Sequence, residues 1–138
     1  MAYFEFDKTK YKQKKLTGLS TQTLSRNRLM TTIRITHKPT DTLIAEGPKG
    51  WGITSFEGNY YISAKHLKTD KFRKAYIPGV CPYKFIYVWE HFIDQKWGID
   101  RMLGWRYVVP NPIFPFIAFR LAVPGNHPSL RIDVFDSD

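Results

Sequence analysis

The sequence predicts a mainly β protein: a compact, β-rich antiparallel body with one or two short helices, preceded by an extended basic N-terminal arm. Three observations predict it. Short runs of β-branched and aromatic residues alternate with polar ones. Nine prolines and nine glycines punctuate these runs at short intervals. No long segment keeps the apolar period of an amphipathic helix. At 138 residues the chain has the usual length of one domain and can bury enough surface to fold without staples.

Residues 1–30 form the arm. Lys8, Lys10, Lys12, Lys14, Lys15, Arg26 and Arg28 stand there against two acids, so the arm carries +5 of the chain's +9 and residues 31–138 only +4. Apart from a small apolar knot of Tyr3, Phe4 and Phe6, the arm holds too little apolar surface to offset its ordering entropy. It is expected to be flexible or docked on a partner, either as a solubilising tail or as an anchor for an acidic protein, nucleic acid or anionic lipid.

Residues 31–138 form the single β-rich domain. Thr31–Thr36 alternates as a half-buried strand, Pro39-Thr40-Asp41 turns, and Thr42–Ala45 returns as the second arm of a hairpin. Gly47–Gly50 breaks the pattern, Trp51–Phe56 resumes it, and Glu57-Gly58-Asn59 turns into a strand at Tyr60–Ile62. Over Ser63–Lys74 a possible Ser63 N-cap followed by Ala, Leu, Lys and Arg predicts one or two helical turns. Tyr83–Phe92 is an aromatic strand with Phe85, Tyr87 and Trp89 on one face, and Gln95–Leu103 reads as a hairpin connection. Gly104–Val109 is a strand ended by Pro110-Asn111-Pro112. Ile113–Ala122 fits either a strand or a short helix, because periodicity does not separate them. After a turn at Pro124-Gly125-Asn126, Leu130–Phe135 alternates as the last strand. Seventeen of the 22 aromatic residues lie between Trp51 and Phe119, more than a small core encloses, so some should line a concave surface.

Glu57-Gly58-Asn59-Tyr60-Tyr61-Ile62, Cys81-Pro82-Tyr83-Lys84, and Gly104-Trp105-Arg106-Tyr107 with Pro110 and Pro112 occur in an order and spacing that resemble the domain of unknown function 427 family. These are small bacterial and fungal proteins. The likeness covers residues 31–135 and leaves out the arm. It implies a β-tent-like body of antiparallel strands with a pocket between its sheets, and no assured reaction. Where that family has a glycine after the box lysine, this chain has Phe85. The nucleotidyltransferase label sometimes attached to the family does not carry over, because the Gly-Ser and paired-Asp arrangement of a nucleotidyl-transfer metal site is missing.

Several residues carry possible chemistry. Cys81 lies three residues before Lys84, whose ammonium can lower the thiol pKa if the chain turns back at Pro82, with His66 or His91 as a possible base. A buried structural thiol is the plainer use. Lys84, Arg106 and Arg120 sit among aromatics, where a cation either snorkels to water or binds an anion. Glu57 and Glu90 are the acids expected to flank the same space, with Glu90-His91 as an acid/base pair. The pocket residues are therefore Glu57, Tyr61, Cys81, Lys84, Trp105 and Arg106. Phe85, Trp89 and the seven basic residues of the arm are assigned to partner binding. His37, His66, His91 and His127 show no metal-ligand spacing, so no metal, cofactor or catalytic residue is assigned.

Three functions follow. The first is a non-catalytic interaction or accessory module that binds a larger protein or complex through the arm and the aromatic face. The second is a pocket protein for an anionic or planar small molecule. Nucleic-acid binding ranks last, since the body is only weakly basic and has no RNA-binding box. With a single cysteine, no signal-peptide pattern and no apolar run long enough to span a bilayer, the expected compartment is the cytoplasm, and any membrane contact would be peripheral.

Overall fold

The structure, a computed structural model, describes residues 30–137. Thr31–Phe135 form one compact unit. The seven basic residues of the arm assigned to partner binding lie outside the described residues.

Nine strands follow in order: β1 (Met30–His37), β2 (Thr42–Pro48), β3 (Ile53–Phe56), β4 (Asn59–Ile62), β5 (Phe72–Cys81), β6 (Phe85–Asp94), β7 (Gly98–Pro110), β8 (Leu121–Pro124) and β9 (Leu130–Ser137). They form two antiparallel sheets, one of three strands in the order β2-β1-β9 and one of six in the order β3-β4-β8-β7-β6-β5. Two short 3-10 turns, at Ala64–His66 and Pro115–Ile117, are the only helical segments among the described residues.

Side-chain alternation divides the larger sheet into two working faces. Ile62 pairs with Leu121, and both join Ile33, Ile35 and Ile44 in the core between the sheets. Tyr61 pairs with Ala122, and both point the other way, into a second buried cluster with Tyr107 and Ile117. Each fully buried aliphatic chain contributes roughly 1.5–3 kcal/mol relative to exposure. Among the described residues, the space between the sheets is thus filled by aliphatic and Phe side chains.

Where the larger and smaller sheets meet, His37 at the end of β1 is fully buried. Its Nε2 lies 2.6 Å from Asp100 Oδ2 on β7, and its Nδ1 lies 2.7 Å from Thr40 Oγ1 in the β1–β2 turn. The imidazole stacks on Phe92 at 4.0 Å between centroids and meets the edge of Trp97 at 4.9 Å. One side chain therefore fixes the smaller sheet to the β6–β7 hairpin of the larger.

Several elements differ from expectation. The helical region expected over Ser63–Lys74 reduces to the turn at Ala64–His66, and Ser63 makes no cap: its hydroxyl is buried without a partner. Phe72 already begins β5, because its ring is drawn into the core against Phe92 at 5.5 Å. β5 is an edge strand, with a register shift between Lys74 and Pro78 and Tyr76 at φ 57°. The connection expected over Gln95–Leu103 is confined to Gln95–Trp97, since Gly98 already pairs with Asp94. Ile113–Ala122 resolves into the Pro115–Ile117 turn followed by the start of β8. Trp51 precedes β3 rather than opening it.

His37→Ala should destabilise the protein by about 2–4 kcal/mol, combining a packing void with a half-buried carboxylate left without its partner. Asp100→Asn, which keeps the volume, should cost less than half as much. Denaturant unfolding checks this as a fall in midpoint at unchanged slope.

Candidate functional site

The outer face of the six-stranded sheet carries a cleft of about 180 Å³ lined by Asn59, Tyr61, Cys81, Lys84, Tyr87, Trp89, Trp105 and Tyr107. Cross-strand register builds it. Tyr87 faces Tyr107 and Trp89 faces Trp105 across β6 and β7, with ring centroids 5.3 and 5.6 Å apart. Trp105 in turn faces Ala122, whose small side chain leaves room for the larger Tyr61 beside it. Tyr87 also fits because Gly79 opposes it: a Cβ at Gly79 would come within 2.1 Å of the Tyr87 ring.

Two turns bring charge to this aromatic floor. Glu57-Gly58 is a two-residue hairpin turn between β3 and β4, with both residues at positive φ (56° and 80°). Cys81-Pro82-Tyr83-Lys84 joins β5 to β6 and ends at Phe85, also at positive φ (80°). Lys84 is buried, and its ammonium pairs with the Glu57 carboxylate and lies 5.6 Å from the centroid of the Phe56 ring. Asn111 braces the second turn, donating from its side chain to the Tyr83 carbonyl at 2.6 Å and from its backbone N–H to the Lys84 carbonyl at 3.2 Å. The CPYK turn and the segment after the GWRY box are thus held together directly.

The electrostatics of the cleft are unusual at three groups. Burial pushes the Tyr61 phenol up to about 12, the nearby Trp105 indole opposing the shift and the charges of Glu57 and Cys81 adding to it. The Trp105 indole N–H, a donor, lowers the phenol; the fully buried Tyr61 hydroxyl has no partner that meets hydrogen-bond geometry. Burial raises the Tyr107 phenol still further, followed by the charges of Tyr61 and Cys81. At Cys81 burial alone would raise the thiol, but the backbone N–H groups of Lys84 and Tyr83 and the Lys84 ammonium outweigh it, and the net shift is downward.

Four of the six expected pocket residues, Tyr61, Cys81, Lys84 and Trp105, line the cleft. Glu57 reaches it only through its pair with Lys84. Arg106 does not reach it: alternation turns Arg106 to the opposite face, where its Nε donates to Glu90 at 2.9 Å and its guanidinium donates to the Phe119 carbonyl at 3.2 Å. Glu90 and His91 point to opposite sides of β6 and form no acid/base pair; His91 accepts the backbone N–H of Met102 at 2.7 Å. Neither His66 nor His91 lines the cleft, so Cys81 has no histidine base there. Trp89, assigned to partner binding, is a wall of the cleft, whereas Phe85 is not among its lining residues and is 40% exposed. Asn59, Tyr87 and Tyr107 were missed, although each of the two tyrosines sits two positions from a tryptophan in the same strand, the spacing that shares a face.

Among the described residues, no three His, Cys, Asp or Glu side chains come together to hold a metal ion, and no helix is long and apolar enough to cross a membrane. No family model matches the chain, and no curated protein matches it either.

Tyr61→Phe should raise stability at neutral pH by about 1 kcal/mol, because it removes a buried hydroxyl without a partner. Below pH 10 the neutral phenol costs nothing further. As pH rises from the ordinary tyrosine value of 10 towards about 12, the unfolded chain ionises first, so the folded state loses stability over that window. The phenylalanine variant should lose less there, as measured by urea unfolding at pH 9 to 12.

Proposed function

We propose that the cleft binds a small planar molecule bearing a hydrogen-bond acceptor. The observation that carries this is the Tyr61 hydroxyl, buried and unpartnered in a wall of the cleft. An unmade hydrogen bond of this kind costs about 1–3 kcal/mol, which an acceptor group of a ligand recovers. The chemistry of the walls narrows the ligand class. Trp89, Trp105 and Tyr87 offer rings to a flat conjugated molecule. Lys84 is already neutralised by Glu57, so the site has little net charge to offer a polyanion. At about 180 Å³ the cleft is also smaller than the roughly 300–1,000 Å³ of sites for drug-sized ligands, which favours a small molecule.

The likeness to the domain of unknown function 427 family, and its β-tent arrangement, belong to the same proposal. Convergence of the three sequence boxes around one cleft supports it. So does Phe85, which takes the left-handed backbone conformation at the position where that family has glycine.

Binding is tested by titrating small planar carbonyl and heteroaromatic compounds while following tryptophan emission and thermal unfolding. A true ligand at 100 times its Kd should add about 2.7 kcal/mol of stability. Trp105→Ala and Tyr61→Phe should weaken it, whereas Val109→Ser, on the opposite face, should not. A panel without any saturable response overturns the reading.

A second reading, an interaction module for a larger protein, has support of its own on that opposite face. Val80, Ile86 and Val109 are direct cross-strand neighbours on β5, β6 and β7 and are 74%, 38% and 50% exposed. Ile86→Lys should release a protein bound there and leave the cleft's ligand response intact. A partner that stays bound to this variant with unchanged affinity counts against the apolar face as its contact.

A further inference from the structure

The thiol of Cys81 and the hydroxyl of Tyr61 belong to one cleft. We propose that Cys81 is a covalent acceptor for small α,β-unsaturated carbonyl compounds, with Tyr61 as the hydrogen-bond donor to the carbonyl oxygen. This rests on the small-molecule reading of the cleft and adds a bond to it.

The thiol side of the pair is prepared by the turn. Cys81 is the last residue of β5, is only partly buried and is one of the residues lining the cleft. The backbone N–H groups of Tyr83 and Lys84 and the Lys84 ammonium favour the thiolate, against the opposing effects of burial and of Glu57. The oxygen side is prepared by Tyr61, which has no partner inside the protein and stays protonated far above neutral pH, so it acts as a donor and not as a base. Tyr107, raised in the same way, also remains a neutral phenol beside the sulfur.

Other thiol chemistries leave part of this arrangement unused. A dithiol relay needs a second cysteine, and the chain has one. Acyl transfer by a thiol is assisted by a positioned base, and no histidine lines the cleft. Conjugate addition draws on a thiol whose ionisation is favoured, a donor for the carbonyl oxygen and a flat apolar bed, and Cys81, Tyr61 and the cleft's aromatic rings supply these.

The step balances without a co-reactant. The thiol gives its proton to solvent. The sulfur lone pair then forms the S–C bond to the β-carbon, the alkene pair moves to the Cα–carbonyl carbon bond, and the carbonyl π pair moves onto oxygen. Tyr61 stabilises that enolate oxygen through its hydrogen bond. A proton from solvent finally reaches the α-carbon, giving a thioether and a saturated ketone. No group leaves and nothing is oxidised by an external agent.

The test uses the full chain and cyclopent-2-enone, with adducts followed by intact mass and located by peptide mapping. Wild-type protein should take up one equivalent at Cys81 at least about tenfold faster than glutathione does at the same neutral pH. Cys81→Ser should give no adduct, and Tyr61→Phe should slow addition by about tenfold or more, as loss of one oxyanion donor does elsewhere. Addition no faster than to glutathione, or undiminished in Tyr61→Phe, overturns the inference. The Cys81→Ser variant separates this failure from that of the cleft itself. Saturable quenching of its tryptophan emission by the same enone, together with slow wild-type addition, removes only the covalent step. Absence of both removes the covalent step and the cleft as its ligand site.

Discussion

Everything in the body depends on strict alternation along β4 and β8. Ile62 and Leu121 face the inter-sheet core, while Tyr61 and Ala122 face the outer cluster, and both sets are fully buried. A one-residue slip in either of these strands would exchange an aliphatic core for phenols and indoles. The cleft is therefore a by-product of a sheet that must be covered on two sides: the smaller sheet covers one, and the Pro115–Ile117 turn with its neighbouring aromatics covers part of the other. The His37–Asp100 contact fixes where the two sheets meet, at a point where β6 and β7 have already shifted register between Glu90 and Phe92.

Charge enters this aromatic surface only through turns whose backbone is costly. Glu57 and Phe85 both hold positive φ, a conformation that disfavours residues with a Cβ by roughly 1–3 kcal/mol. Their turns put a carboxylate and an ammonium together at the mouth of the cleft. The pair is half open to water on the glutamate side and buried on the lysine side, so the lysine depends on the glutamate more than the reverse. Both members of the pair act on the thiol: burial and the Glu57 carboxylate raise it, while the backbone N–H groups of Lys84 and Tyr83 and the Lys84 ammonium lower it.

The β class was legible, because period-two alternation and Gly/Pro punctuation are local signals. β5 was not, since Phe72 is followed by Arg73 and Lys74, both exposed at an edge, and only the tertiary contact of Phe72 with Phe92 commits the segment to a strand. The position of the cleft was half legible. Tyr61, Cys81, Lys84 and Trp105 could be assembled from the box order, but Arg106 adjoins Trp105 in sequence and faces the other side of β7, a distinction that follows from strand parity. The pairing of His37 with Asp100 spans 63 residues and leaves no mark in local pattern.

The borders of the larger sheet limit how it can meet other molecules. At one border β3 is four residues long, and at the other β5 is interrupted by Pro78, by a left-handed Tyr76 and by the break in pairing after Lys74. A proline has no amide hydrogen to give, and a kinked ladder cannot template a straight newcomer. Strand addition is therefore disfavoured at both borders of the larger sheet, and a visiting chain meets that sheet more readily by stacking on one of its faces.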